Sequence, residues 1–129
     1  MMRAWPGNYA SLTNWGSALR ERATRTKARA SARRAEGKPA EADALDRQAG
    51  EDIRQAVAKI DQAIAMMPSY AHAHLIRALL YDGDLGNPAI AIAEFEEVLR
   101  LMPNHPQRAL IETEMTRLRA HQATEPPAR

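Results

Sequence analysis

Residues 53–68 read IRQAVAKIDQAIAMMP and residues 88–103 read PAIAIAEFEEVLRLMP, two stretches that close on the same Met-Pro step 35 residues apart. In the first, Ile53, Ala56, Val57, Ile60, Ala63, Ile64 and Met67 recur at steps that follow one face of an α-helix and not a strand. In the second, Ala91, Phe95, Val98, Leu99 and Met102 do the same. Each stretch is expected to be a helix with one apolar face. A period near 35 residues points to stacked helix pairs, because one pair alone cannot bury its apolar face.

Outward from these stretches, proline and glycine divide the chain into five helix-length segments. The first spans about Asn8 to Glu36, with Leu12, Trp15, Gly16 and Leu19 on one face and the small residues Ala23, Thr26 and Ala30 continuing it. After Gly37-Lys38-Pro39 the second runs from about Ala40 to Met66 and adds Leu45 and Ala49 to its apolar face. Ser69 offers an N-cap for a third helix with Ala73, Ile76, Leu79 and Leu80, closed by the Asp82–Asn87 turn. Asn87-Pro88 is a cap and first-turn pair for the fourth. A fifth, from about Pro106 to His121, turns Leu110, Ile111, Met115 and Leu118 inward, and residues 123–129 are expected to form a disordered tail. The expected fold is all-α: antiparallel hairpins stacked as a short solenoid in one domain over residues 1–122. It has an elongated first hairpin (8–68), a second repeat (69–103) and a capping helix (104–122).

Composition narrows the function. The absence of cysteine removes disulfide frameworks, thiolate zinc sites and a cysteine nucleophile. The N-terminal stretch, with Arg3 and Trp5-Pro6-Gly7, has no apolar run of signal-peptide length, and no segment approaches the roughly eighteen apolar residues of a membrane span. A cytoplasmic protein without a membrane span is the expectation. Net charge is only +2, but Arg20 to Lys38 holds eight basic residues against Glu21 and Glu36, leaving about −4 for the remainder.

Residues Ser69 to Pro103 resemble the tetratricopeptide repeat, a helix-turn-helix unit of about 34 residues. Ala78 and Tyr81 match the small and aromatic positions of its first helix, and Ala91, Phe95, Val98 and Leu99 match the core positions of its second. The Asp82–Asn87 turn is one residue longer than the usual repeat. The first hairpin resembles a longer variant, with Leu12, Trp15, Gly16 and Leu19 at one end, Ala56, Ile60, Ala63, Ile64 and Pro68 at the other, and about 20 extra residues between. The resemblance implies a non-catalytic protein–protein interaction scaffold or assembly subunit, whose first helices line a groove. Its groove positions would be Ala10, Thr13, Asn14, Ser17 and Arg20, then His72, Leu75, Ile76, Leu79 and Asp82. Asn14 matches a position where the family often uses asparagine to bond peptide backbone. Leu75, Ile76 and Leu79 depart from the carboxylate-clamp subfamily, so the implied ligand is an amphipathic helix or apolar segment. The same three residues could instead pack against the fifth helix or the first hairpin. With only about two repeats, a partner protein, a larger complex or a second copy is expected to complete the core, and Trp5 and Tyr9 are candidate contacts.

The alternative function rests on Arg22, Arg25, Arg29 and Arg33, which share one helix face and could meet nucleic acid or a membrane surface. Against it, a chain folding back near Gly37 places residue i beside about 76 − i. Arg33 and Arg34 then meet Asp43, Arg29 meets Asp46, and Arg25 meets Glu51 and Asp52. No aromatic residue interleaves the arginines to stack on bases, so nucleic acid is the less favoured partner. Asp82 to Asn87 superficially resembles the start of a calcium loop, but its twelfth position is Ala93 and not an acid. His72 and His74 lie two apart on a helix and point away from each other, which excludes a shared metal. His105 lies in a turn and His121 near a helix end, neither within a ligand motif. Glu94, Glu96 and Glu97 are expected on a solvated face. No nucleophile motif or phosphate loop occurs, so neither catalysis nor a cofactor is expected.

Overall fold

The computed structural model describes residues 8–124, in which every regular element is helical. In chain order these are α1 (Asn8–Ala35), α2 (Pro39–Met66), α3 (Ala71–Leu79), a π-helical turn (Leu80–Asp84), α4 (Pro88–Leu101) and α5 (Arg108–Thr124). The chain separates into two compact units after Pro68.

The first unit is the hairpin of α1 and α2. Gly37 ends α1 with φ +75°, a conformation that costs a residue without a side chain little. The Gly37 N–H then bonds the Arg34 carbonyl and the Lys38 N–H the Arg33 carbonyl, satisfying the open end of the helix. Pro39 follows at the start of α2, where its missing N–H costs nothing. Each helix has 28 residues, so the pair runs about 42 Å. Their seam joins Thr13, Gly16, Leu19, Ala23, Thr26 and Ala30 to Ala42, Ala49, Ile53, Ala56, Ile60 and Ala63. Small side chains bring the backbones close. A β-carbon on Gly16 would lie 2.8 Å from the Ile60 side chain and 3.2 Å from the Ala56 carbonyl oxygen. Trp15 corrects the expectation of an inward face: it is 52% exposed. The seam runs through Gly16 and Leu19, and one residue back the helix has turned about 100° away.

The second unit wraps Phe95 and Val98 of α4 with Leu75 and Ala78 of α3 and Ile111, Met115 and Leu118 of α5. The extra residue of the turn after α3 is absorbed by the π-helical turn, in which the Leu85 N–H reaches the Leu80 carbonyl at 2.9 Å. Asn87 caps α4 as its sequence suggests, its Oδ1 accepting from the Ile90 N–H at 3.2 Å. Ser69 does not cap α3; Tyr70 stands at the cap position without a side-chain cap bond. Met102 and Leu110, expected inward, are 43% and 68% exposed. Met102 lies just beyond the last turn of α4, and Leu110 is displaced by Ile111, whose stripe continues at Met115 and Leu118. Helix α5 also continues through Ala123 and Thr124, which the expected tail had included; residues 125–129 lie outside the described residues. No helix among the described residues is long and apolar enough to cross a membrane.

Candidate functional site

The exposed side of α1 carries the most distinctive surface. Trp15, Ala18, Arg22, Arg25 and Arg29 follow at steps of three and four and are all exposed, forming a second stripe beside the buried seam. The indole of Trp15 is held under Lys59 of α2, whose Nζ lies 3.9 Å from the ring centroid. Arg22 reaches across the flank to Asp52, with Nε–Oδ2 and Nη2–Oδ1 both at 2.8 Å. Asp52 is only 3% exposed, and the hydrogen bonds from Arg22 hold its pKa below the ordinary value against the cost of burial.

Charge pairing across the hairpin is real, but its partners differ from those expected. Asp52 takes Arg22 and not Arg25, and Glu51 binds Arg54 of its own helix. Arg34 binds both Asp43 and Asp46, at 2.8 and 2.9 Å, so Asp46 is not the partner of Arg29. Arg33 contacts Glu36 at 3.4 Å and Glu41 at 3.2 Å. Three residues beyond Arg22 the helix has rotated about 60° further from α2, which turns Arg25 outward and out of reach of Asp52. Arg25 and Arg29 make no ion pair among the described residues.

The groove positions separate by exposure. Asn14 and His72 are exposed, while Ala10, Ser17, Arg20, Leu79 and Asp82 are half-buried. Thr13 is fully buried, with Oγ1 donating to the Tyr9 carbonyl at 2.8 Å, and Leu75 and Ile76 are also buried. Leu75 belongs to the core of the second unit, against which Leu79 packs, so part of the expected groove is interior. Tyr9 is half-buried, and Trp5 lies outside the described residues.

Two polar clusters in the second unit have no local sequence motif. His74 Nδ1 lies 2.6 Å from Glu94 Oε1, with Arg77 Nη1 3.5 Å from the other oxygen. Glu94 is therefore not on the solvated face; its side chain is 14% exposed. The available signal was its place three residues after Ala91 and four before Val98, on the edge of the buried stripe. Glu96 and Glu97 do lie outward, paired with Arg119 and Arg100. In the other cluster, Arg117 of α5 bonds Asp82 at 2.6 Å and also Glu114. Burial, and then the neighbouring Glu114, push Asp82 up to about 6, while Arg117 and then Asp82 hold Glu114 below the ordinary value. His72, though exposed, is packed closely enough on one side for partial desolvation, and then the charge of His105, to lower it. Each cluster binds its own charges together and ties neighbouring helices. Among the described residues no three His, Asp or Glu side chains converge as a metal-ligand set.

No protein-family model matches the sequence significantly, and neither a curated protein nor a solved structure does.

Proposed function

We propose that this chain is a non-catalytic protein-interaction module, an accessory or assembly subunit, that engages its partner along the exposed flank of α1. The observation that carries this is Trp15: a large aromatic side chain left 52% exposed on a helix whose other outward residues are small or polar, and held in place by Lys59. Preordered tryptophans supply contact area at low entropic cost and dominate many interfaces. Asn14, the groove position expected to bond peptide backbone, is exposed beside it. The resemblance of Ala78, Tyr81, Ala91, Phe95, Val98 and Leu99 to a tetratricopeptide unit supports the same function. A helical or apolar segment is the proposed ligand, because Trp15 and Ala18 offer apolar contact on the exposed flank of the helix.

Binding to an anionic polymer through Arg22, Arg25, Arg29 and Arg33 is the second possibility, supported by Arg25 and Arg29, which bind no carboxylate among the described residues. It is weakened because Arg22 and Arg33 already bind carboxylates. The deciding experiment places a photo-crosslinking amino acid at Ala18 or, as a control on the outward side of α2, at Arg47, in the protein's own cells. Nuclease-insensitive crosslinks to one or a few proteins from position 18, absent from 47 and lost with Trp15→Ala, support the module. Crosslinks that vanish with nuclease would transfer the function to the basic face.

A further inference from the structure

On the proposed α1 interface, we infer that the partner is an acidic amphipathic helix, docked along the stripe Trp15, Ala18, Arg22, Arg25 and Arg29. The inference rests on that interface and adds the chemistry of its ligand. The steps of three and four in this stripe are the spacing at which a second helix meets a first in left-handed packing. All five residues are exposed, so the stripe is a ready seam parallel to the buried one. From Trp15 to Arg29 it is about 21 Å long, the length of two heptads.

Charge then selects the occupant. On the hairpin Arg22, Arg33, Arg34 and Arg54 each bind a carboxylate, whereas Arg25 and Arg29 of the stripe, like Arg47 of α2, bind none among the described residues. Two guanidinium groups at i and i+4 suit carboxylates one helical turn apart on a facing helix. At the other end Trp15 and Ala18 suit an apolar side chain. A continuous phosphate backbone fits less well, because it needs cations along its whole length and Arg22, in the middle of the stripe, is already bound to Asp52. An acidic helix can place its carboxylates opposite Arg25 and Arg29 alone.

The test uses the full chain with Trp5→Phe, so that Trp15 is the only indole. Its fluorescence is titrated with a synthetic three-heptad helix carrying Leu and Glu on one stripe. The controls are the same helix with Gln for Glu, an oligo(dT) strand, and phosphatidylcholine vesicles with and without phosphatidylserine. The expected result is a Trp15 emission shift with binding about tenfold tighter for the Glu helix than for the Gln helix. Arg25→Gln with Arg29→Gln should erase that advantage while circular dichroism stays unchanged. Equal binding of the two helices, or an advantage that survives the double substitution, overturns the acidic partner and leaves the α1 interface standing. Binding by neither helix, or tighter binding to oligo(dT) or serine-containing vesicles, overturns both.

Discussion

Two glycines in the same hairpin show how position decides the effect of one atom. Gly16 faces Ile60 and Ala56 across the seam, while Gly50 has nothing within 4 Å of the space a β-carbon would take. Gly50→Ala is therefore expected to stabilise the hairpin by about 0.5–1 kcal/mol through helix propensity alone, whereas Gly16→Val should cost about 2–3 kcal/mol by overpacking. Chemical denaturation of the two variants checks both. Asp82 gives a pH prediction. Its folded-state pKa, about 6, lies above the ordinary 3.8, so its contribution is complete below about pH 4 and is lost as pH rises through about 6. His72 is shifted the other way for a base, and its contribution is lost as pH falls. Comparison with Asp82→Asn isolates the carboxyl: the neutral amide should be more stable than the native side chain near pH 7, with the advantage shrinking as pH falls and gone only below about pH 4. A pH-independent difference in melting temperature would refute it.

At the scale of the helix, the buried stripe of α1 was legible from spacing alone. Leu19, Ala23, Thr26 and Ala30 are all interior, because a helical period permits only one face toward α2. The arginine partners were not legible. A constant-sum rule locates Cα atoms across a hairpin, but an arginine reaches several residues up or down its flank, and Arg22 rather than Arg25 lies on the side of Asp52. That contact separates two substitutions of identical chemistry. Arg22→Ala strands a nearly buried carboxylate and should lower the melting midpoint, while Arg25→Ala should leave it unchanged. Equal midpoints would remove Asp52 from the determinants of hairpin stability. Glu94 was missed for a related reason: its partner His74 is 20 residues away, and only the packing of α3 on α4 brings them together.

Across the whole molecule, each unit carries its own apolar interior, one built from a long seam of alanines and the other around Phe95. Phe95→Ala should cost about 3–5 kcal/mol, and amide hydrogen exchange should show the loss concentrated in residues 69–124, with residues 8–66 far less affected. A uniform loss of protection would mean that the units unfold as one. The sequence by itself determined the helices, their ends at Gly37 and Asn87 and the centre of each apolar stripe though not its edges, because these follow from local backbone chemistry and a fixed period. Tertiary structure alone decided that Trp15 stays outside, that Leu75 goes inside, and that Arg25 and Arg29 meet no carboxylate among the described residues. On the hairpin those outcomes depend on which flank of α1 faces α2, set by the close approach at Gly16 and by side-chain reach, and for Leu75 on the shared interior around Phe95, rather than on spacing along the chain.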